Sequence, residues 1–234
     1  MASLGFGDLL CGSDRLYTIM HVCQRRVNGV RRTKEDSEQT RRQILAAARR
    51  VFARQGVTRT TLEQIAHAAG VTRGAIYWHF ADKTALFYAM REQVSLPMSD
   101  RTGFAWFPED TADPLGSVER FLLGMLKTLE TDAATRQTFQ IMGFKCEYVG
   151  ELERELDLHN SRCTELYEKL TQVYRRAERA GQLREGLRPG PAALATCSFL
   201  IGLVRLWLMD GNGKLVRSKA QTVAKSHLAS QRRG

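Results

Sequence analysis

Residues 60–83 of this 234-residue chain read as two short helices around one tight corner, and the rest of the chain is organised around them. Thr61, with Gln64 three residues on, forms a capping-box pattern that predicts a helix start, and Leu62, Ile65 and Ala66 give that helix one apolar stripe. Gly70 ends it, because glycine accepts the left-handed conformation that such a corner requires. Thr72 then caps a second helix, in which Ile76 and Phe80, four apart, face the core. Arg73, Ala75, Tyr77, Trp78 and His79 are left pointing outward, an unusual aromatic load for a short exposed face. That face suits the DNA major groove, where Arg pairs with guanine O6 and N7 and small or aromatic side chains touch thymine methyls and phosphates.

An ordinary helical hairpin would share the spacing, so the residues themselves must decide. The string from Thr72 through Arg73, Gly74, Ala75, Ile76, Tyr77, Trp78 and His79 to Phe80, followed by Asp82 and Lys83, resembles the recognition helix of TetR-family transcriptional repressors. The resemblance implies an all-α protein: an N-terminal three-helix helix-turn-helix domain, here 31–82, and a C-terminal helical ligand-binding and dimerisation domain, here 83–234. Arg73 is expected to read a base, with Thr60, Thr61, Thr72, Tyr77, His79 and Lys83 holding phosphates. Residues 1–30 form an extension without clear periodicity. The resemblance begins near Val30, and since GTG encodes valine, Val30 is the expected native start, which N-terminal sequencing of natively expressed protein checks.

The charge supports a nucleic-acid partner through its placement. The net +10 divides into +7 over residues 1–93, −3 over 94–213 and +6 over 214–234, so the basic front coincides with the helix-turn-helix. The basic tail reads as solvated surface. Arg31, Arg32 and Lys34 form a basic arm of the kind that reaches for phosphates or the minor groove. Cysteines 11, 23, 146, 163 and 197 lack metal-ligand spacing and any C-x-x-C, which suits a reducing cytoplasm; no metal or cofactor is expected. No signal peptide is evident, and the longest apolar stretch, Ser198 to Met209, is short and broken by Arg205, so no membrane partner is expected.

Helical periodicity covers the rest. Ile44, Leu45, Ala48, Val51 and Phe52 mark a first helix over Ser37–Gln55, stopped by Gly56. A helix from Thr84 to about Leu96 ties the reading head to the C-terminal domain, Pro97 to Pro114 reads as a break, and all five prolines are expected outside helices. Val118 to Leu129 and Thr138 to Tyr148 come next as helices, then a 4-and-3 seam from Leu152 to Ala177, ended by Gly181. Ala192 to Met209 is apolar nearly all round, which a second subunit would explain. The resemblance implies the same, a dimer built on the last two helices, although Leu215 to Ser230 holds few large apolar residues.

Phe144-Lys145-Cys146-Glu147-Tyr148-Val149-Gly150-Glu151-Leu152 resembles the multidrug-efflux repressors of the family. That implies a roomy C-terminal pocket for a drug-like inducer, with Trp106, Phe121, Met125, Phe139, Met142, Cys146 and Glu147 as candidate lining, since amphiphilic cations bind through ring faces, pliable Met side chains and a carboxylate. A homodimer on near-palindromic double-stranded operator DNA, released by the drug, is the expected function. A regulator of non-efflux genes that answers a metabolite or oxidation of Cys146 or Cys163 is the alternative. Enzymatic readings lack support, for there is no G-x-S-x-G, Walker loop, H-E-x-x-H or dinucleotide turn, and no catalytic residue is assigned.

Overall fold

The computed structural model describes residues 13–101 and 107–234, with side chains for 34–94 and 107–234. Among the described residues the fold is all α: α1 Ser13–Gln55, α2 Leu62–Ala69, α3 Arg73–His79, α4 Lys83–Arg101, α5 Pro114–Thr131, α6 Ala133–Phe144, α7 Glu153–Arg179, α8 Pro189–Met209 and α9 Ala220–Ala229. The chain divides into two units, Met1–Gln43 and Ile44–Gly234. In the first, the described backbone is helical from Ser13, with Thr40 Oγ1 donating to Asp36 O at 2.8 Å.

Two expectations need correction. The first helix begins at Ser13 instead of Ser37: residues 13–36 lack an apolar period, but they contain no proline and a single glycine, so nothing in them breaks a helix. Pro97 lies inside α4, which continues to Arg101. A proline removes one amide and crowds one carbonyl, a cost of about 3 kcal/mol that a helix can absorb with a local kink. Pro114 and Pro189 begin α5 and α8, where a missing amide costs nothing.

Local signals work as the sequence predicts at the corner. The Thr61 hydroxyl accepts from Gln64 N while the Gln64 side chain accepts from Thr61 N at 3.0 Å, completing the capping box. Gly70 adopts φ 68°, and Thr72 Oγ1 accepts from Ala75 N at 3.3 Å. Each such cap contributes about 1 kcal/mol. Asp82 Oδ1 accepts from Ala85 N and opens α4 in the same way.

Within the unit Ile44–Gly234 the buried apolar side chains form two clusters. One joins Ile44, Phe52, Ile65, Ile76, Phe80 and Phe87 of α1–α4, and it also takes in Ile141 of α6 and Leu152. The other joins α5, α7, α8 and α9 around Leu122, Leu170, Tyr174 and Trp207. Polar ties link the elements that carry them. Val57 N donates to Lys145 O at 2.9 Å, Arg49 Nε to Thr138 Oγ1 at 3.1 Å, and Arg91 meets the buried Glu155 at 2.8 Å. Burial raises the Glu155 carboxyl above its ordinary range even with Arg91 beside it.

Candidate nucleic-acid interface and effector region

Packing of α3 follows from its two buried anchors, Ile76 at 0% exposure and Phe80 at 4%. They fix the helix so that Trp78 is 83% exposed and Tyr77 48%. Arg73 is also exposed; its Nη2 lies 3.4 Å from the Tyr77 hydroxyl one turn on, with the guanidinium carbon 5.6 Å from the ring centroid. This contact holds the guanidinium extended along the helix face. Ala75 and His79 are half-buried beside it, His79 tilted against Phe80.

Thr61 and Thr72 are exposed with their hydroxyl oxygens accepting from helix amides, which leaves each O–H to donate outward at a helix N-terminus. Thr60 does not share that position. It is buried, and its hydroxyl donates to Gly56 O at 2.6 Å, closing the turn after α1, so its side chain is spent on the fold instead of on a phosphate. Lys83 is half-buried at the start of α4 and donates to Thr58 O at 3.1 Å, which places its charge beside the loop before α2.

The candidate effector residues separate. Phe121, Met125 and Phe139 pack in the cluster of α5, α7, α8 and α9, whereas Met142 and Cys146 border the other cluster, and Glu147 is exposed. Trp106 lies outside the described residues. Its neighbour Phe107 stands with its ring 5.2 Å from that of Phe121, an aromatic contact that composition alone does not single out. Burial pushes the Cys146 and Cys197 thiols up to about 11 and raises Cys163 too, so all three stay as thiols near neutral pH, which disfavours the oxidation reading. Among the described residues no three His, Cys, Asp or Glu side chains gather as a metal site.

One helix face is left open. α8 buries Ala193, Thr196, Leu200, Leu203 and Trp207 but exposes Leu194, Ile201, Leu206 and Met209. Arg205 is exposed on this helix as well, with its guanidinium 4.8 Å over the Phe144 ring. α8 is long and apolar enough to cross a bilayer, by length and composition alone.

Comparison with known proteins places these features. Residues 44–90 match the family described as bacterial regulatory proteins, tetR family, and 113–230 match the MAATS-type transcriptional repressor C-terminal region. The HTH-type transcriptional regulator TtgR of Pseudomonas putida is 40% identical over 180 residues, which are 77% of this chain and 85% of TtgR. The crystal structure of NalD, the secondary repressor of the MexAB-OprM multidrug efflux pump in Pseudomonas aeruginosa, superposes with a TM-score of 0.72 at 35% identity, covering 85% of this chain and 98% of NalD. A SmeT–triclosan complex gives a TM-score of 0.69 at 27% identity, covering 83% and 92% of the two chains.

Proposed function

Because this chain belongs to the TetR family of bacterial regulatory proteins, and is a DNA-binding transcriptional repressor of the multidrug-efflux kind and not an enzyme, we propose how its residues perform repression and release. The observation that carries the reading is α3: a solvent-facing Arg73, Tyr77 and Trp78 on a helix locked by Ile76 and Phe80. Arg73 reads a base edge, with Ala75 and Trp78 against the groove wall. Thr61, Thr72, Tyr77, His79 and Lys83 hold phosphates. Thr60 acts one step back, by fixing the turn from which Thr61 projects.

A second copy of the chain covers the exposed row of α8, with α9 contributing little beyond its own fold, since it is ten residues long and buries Ala220, Ala224 and Leu228 internally. The pair acts as a soluble, cytoplasmic protein. Two-fold symmetry then sets two copies of α3 about 34–36 Å apart, one turn of B-DNA or a multiple, on a near-palindromic operator. A drug-like inducer enters among Phe121, Met125 and Phe139, adjoining Phe107. Met142, Cys146 and Glu147 stand where α6 hands over to the reading head.

Release follows from the hydrogen bonds between α6 and the reading head. A ligand that shifts α6 moves Lys145 O, to which the Val57 amide is bonded, and Thr138, to which Arg49 is bonded. A hundredfold loss of operator affinity requires about 2.7 kcal/mol of preference for the released state. Fluorescence anisotropy on the upstream intergenic DNA, at fixed salt, with and without chemically unrelated antibiotics and dyes, tests this. Release by several compounds is expected; tight binding that none releases overturns the drug-inducer part, and absence of specific binding overturns the operator part.

A further inference from the structure

A cavity of about 250 Å³ opens between the end of α5, the start of α6, the end of α8 and the start of α9. It is smaller than the roughly 300–1,000 Å³ of pockets that take drug-sized ligands. None of the described candidate inducer residues lines it. Leu126, Ala220 and Trp207 supply apolar wall, and the polar lining sets the guanidinium groups of Arg136 and Arg217 beside Gln221 and the carboxylate of Glu130.

Both arginines are held in place by the fold and keep hydrogen-bonding capacity in reserve. Arg136 Nη1 donates to Leu129 O and Glu130 O at 3.0 and 3.1 Å, closing the end of α5. Arg217 Nε donates to Trp207 O at 3.1 Å, and its guanidinium carbon lies 4.3 Å over the Trp207 ring. Neither is within ion-pair distance of a described carboxylate. Two acids partly offset them: Glu130, in the cavity wall, also pairs with Lys127 at 3.4 Å, and Asp210, which accepts from the amides of Val216 and Arg217, feels the Arg217 charge. The third donor group is α9 itself, whose first residues, Ala220 and Gln221, line the cavity and whose N-terminus has no side-chain cap. Uncapped first-turn amides and the positive end of the helix dipole attract an anion.

We propose that this cavity is a second effector site, for a small aryl carboxylate: the carboxylate meets Arg136, Arg217 and the α9 N-terminus, and the ring lies against Leu126 and the Trp207 edge. Paired N–H groups of arginine match a carboxylate's two oxygens, and the apolar wall favours an organic acid over a bare inorganic anion. The site is also mechanically placed. α6 begins shortly before Arg136 reaches the cavity wall, and just past its other end Lys145 O accepts the Val57 amide of the reading head. Its effect on DNA, unlike its occupancy, rests on the repressor reading above.

The test is a calorimetric titration of the full chain with benzoate, benzamide and inorganic phosphate as probes. Benzoate is expected to bind with a Kd of about 1 mM or tighter. Benzamide, which lacks the charge, binds at least tenfold more weakly, and phosphate fails to compete at equal concentration. Arg217→Met weakens benzoate at least tenfold. Because Arg217 also braces Trp207, Gln221→Glu is the second variant: it sets a carboxylate at the α9 N-terminus, where it suits the helix, and repels the ligand at least tenfold with an unchanged or raised Tm. No benzoate heat at 10 mM, equal binding of benzamide, full competition by phosphate, or unaltered binding to Gln221→Glu each overturns the proposal. The titration contains no DNA, so its failure leaves the operator reading standing, and failure of operator binding leaves the titration standing.

Discussion

Two of the described helices, α3 and α8, each hold more than one large apolar side chain out to solvent, and they do so with different chemistry. α3 shows Tyr77 and Trp78 beside Arg73 and two threonine caps, while α8 shows Leu194, Ile201, Leu206 and Met209, with its one arginine stacked on Phe144. Exposure alone says that each face wants a partner. Composition says which: flat rings and a fork of N–H donors match base edges and phosphates, whereas an aliphatic row with nothing to hydrogen-bond matches only another aliphatic row. The faces are also supported differently. α3 is seven residues long and depends on caps and two anchors, but α8 has twenty-one residues and a continuous buried side.

The sharpest way to break this comparison is to charge the aliphatic face. Ile201→Asp is expected to weaken self-association at least hundredfold, about 2.7 kcal/mol, in sedimentation velocity, while Trp78→Ala leaves association unchanged. A dimer that tolerates Ile201→Asp would mean that α8 faces something else. Next in size, Arg73→Ala is expected to cost about 1–3 kcal/mol on operator DNA and to relax sequence preference, and equal losses on operator and random duplex would remove it as a base reader. Thr61→Ala deletes the hydroxyl half of the capping box, so about 1 kcal/mol of stability is lost in urea unfolding, together with a phosphate contact. Lys83→Ala should weaken all DNA alike and flatten the salt dependence by about one counterion, less if the bond to Thr58 O keeps the ammonium from the phosphates.

The smallest effect lies behind α8, where the half-buried His227 meets the buried Tyr174, Thr196 and Gln231. The Tyr174 hydroxyl donates to Gln231 Oε1, Thr196 Oγ1 lies 2.9 Å from His227 Nε2, and the Phe199 ring stacks on the imidazole at 4.1 Å. Burial lowers the His227 pKa below its ordinary 6.5. The unfolded chain therefore takes up the proton first as pH falls, so stability is intact above about 6.5 and declines below it. A Tm profile from pH 7.5 to 5.5 should fall less steeply in His227→Gln, with α3 untouched; parallel profiles would exclude the histidine.

The reading head is legible in the sequence because its signals are local. A cap acts within three residues, and the burial of Ile76 and Phe80 follows from one helical turn, so Thr61, Gln64, Gly70 and Thr72 reveal their parts without knowledge of the rest. Thr60 departs from its expected role because its hydroxyl bonds backward to Gly56 O, a choice that residue type does not reveal. Regions decided by distant partners are harder. Whether Phe121 or Met125 fills a core or lines a pocket depends on how α5 meets α7 and α8, and the Arg49–Thr138 bond spans 89 positions. The apolar sides of α8 announce a partner, but only packing shows that Arg205 stacks on Phe144.

The corner glycine has a consequence for heredity. At Gly70 the backbone stands at φ 68° with nothing within 4 Å of where a Cβ would sit, so a Cβ there meets no clash. The penalty is the left-handed backbone itself, roughly 1–2 kcal/mol for an ordinary L-residue and less for asparagine or aspartate. Missense alleles of this codon should therefore form one phenotypic class of partial derepression, with aspartate the mild exception. A population under toxic challenge would find that class through many different single-base changes.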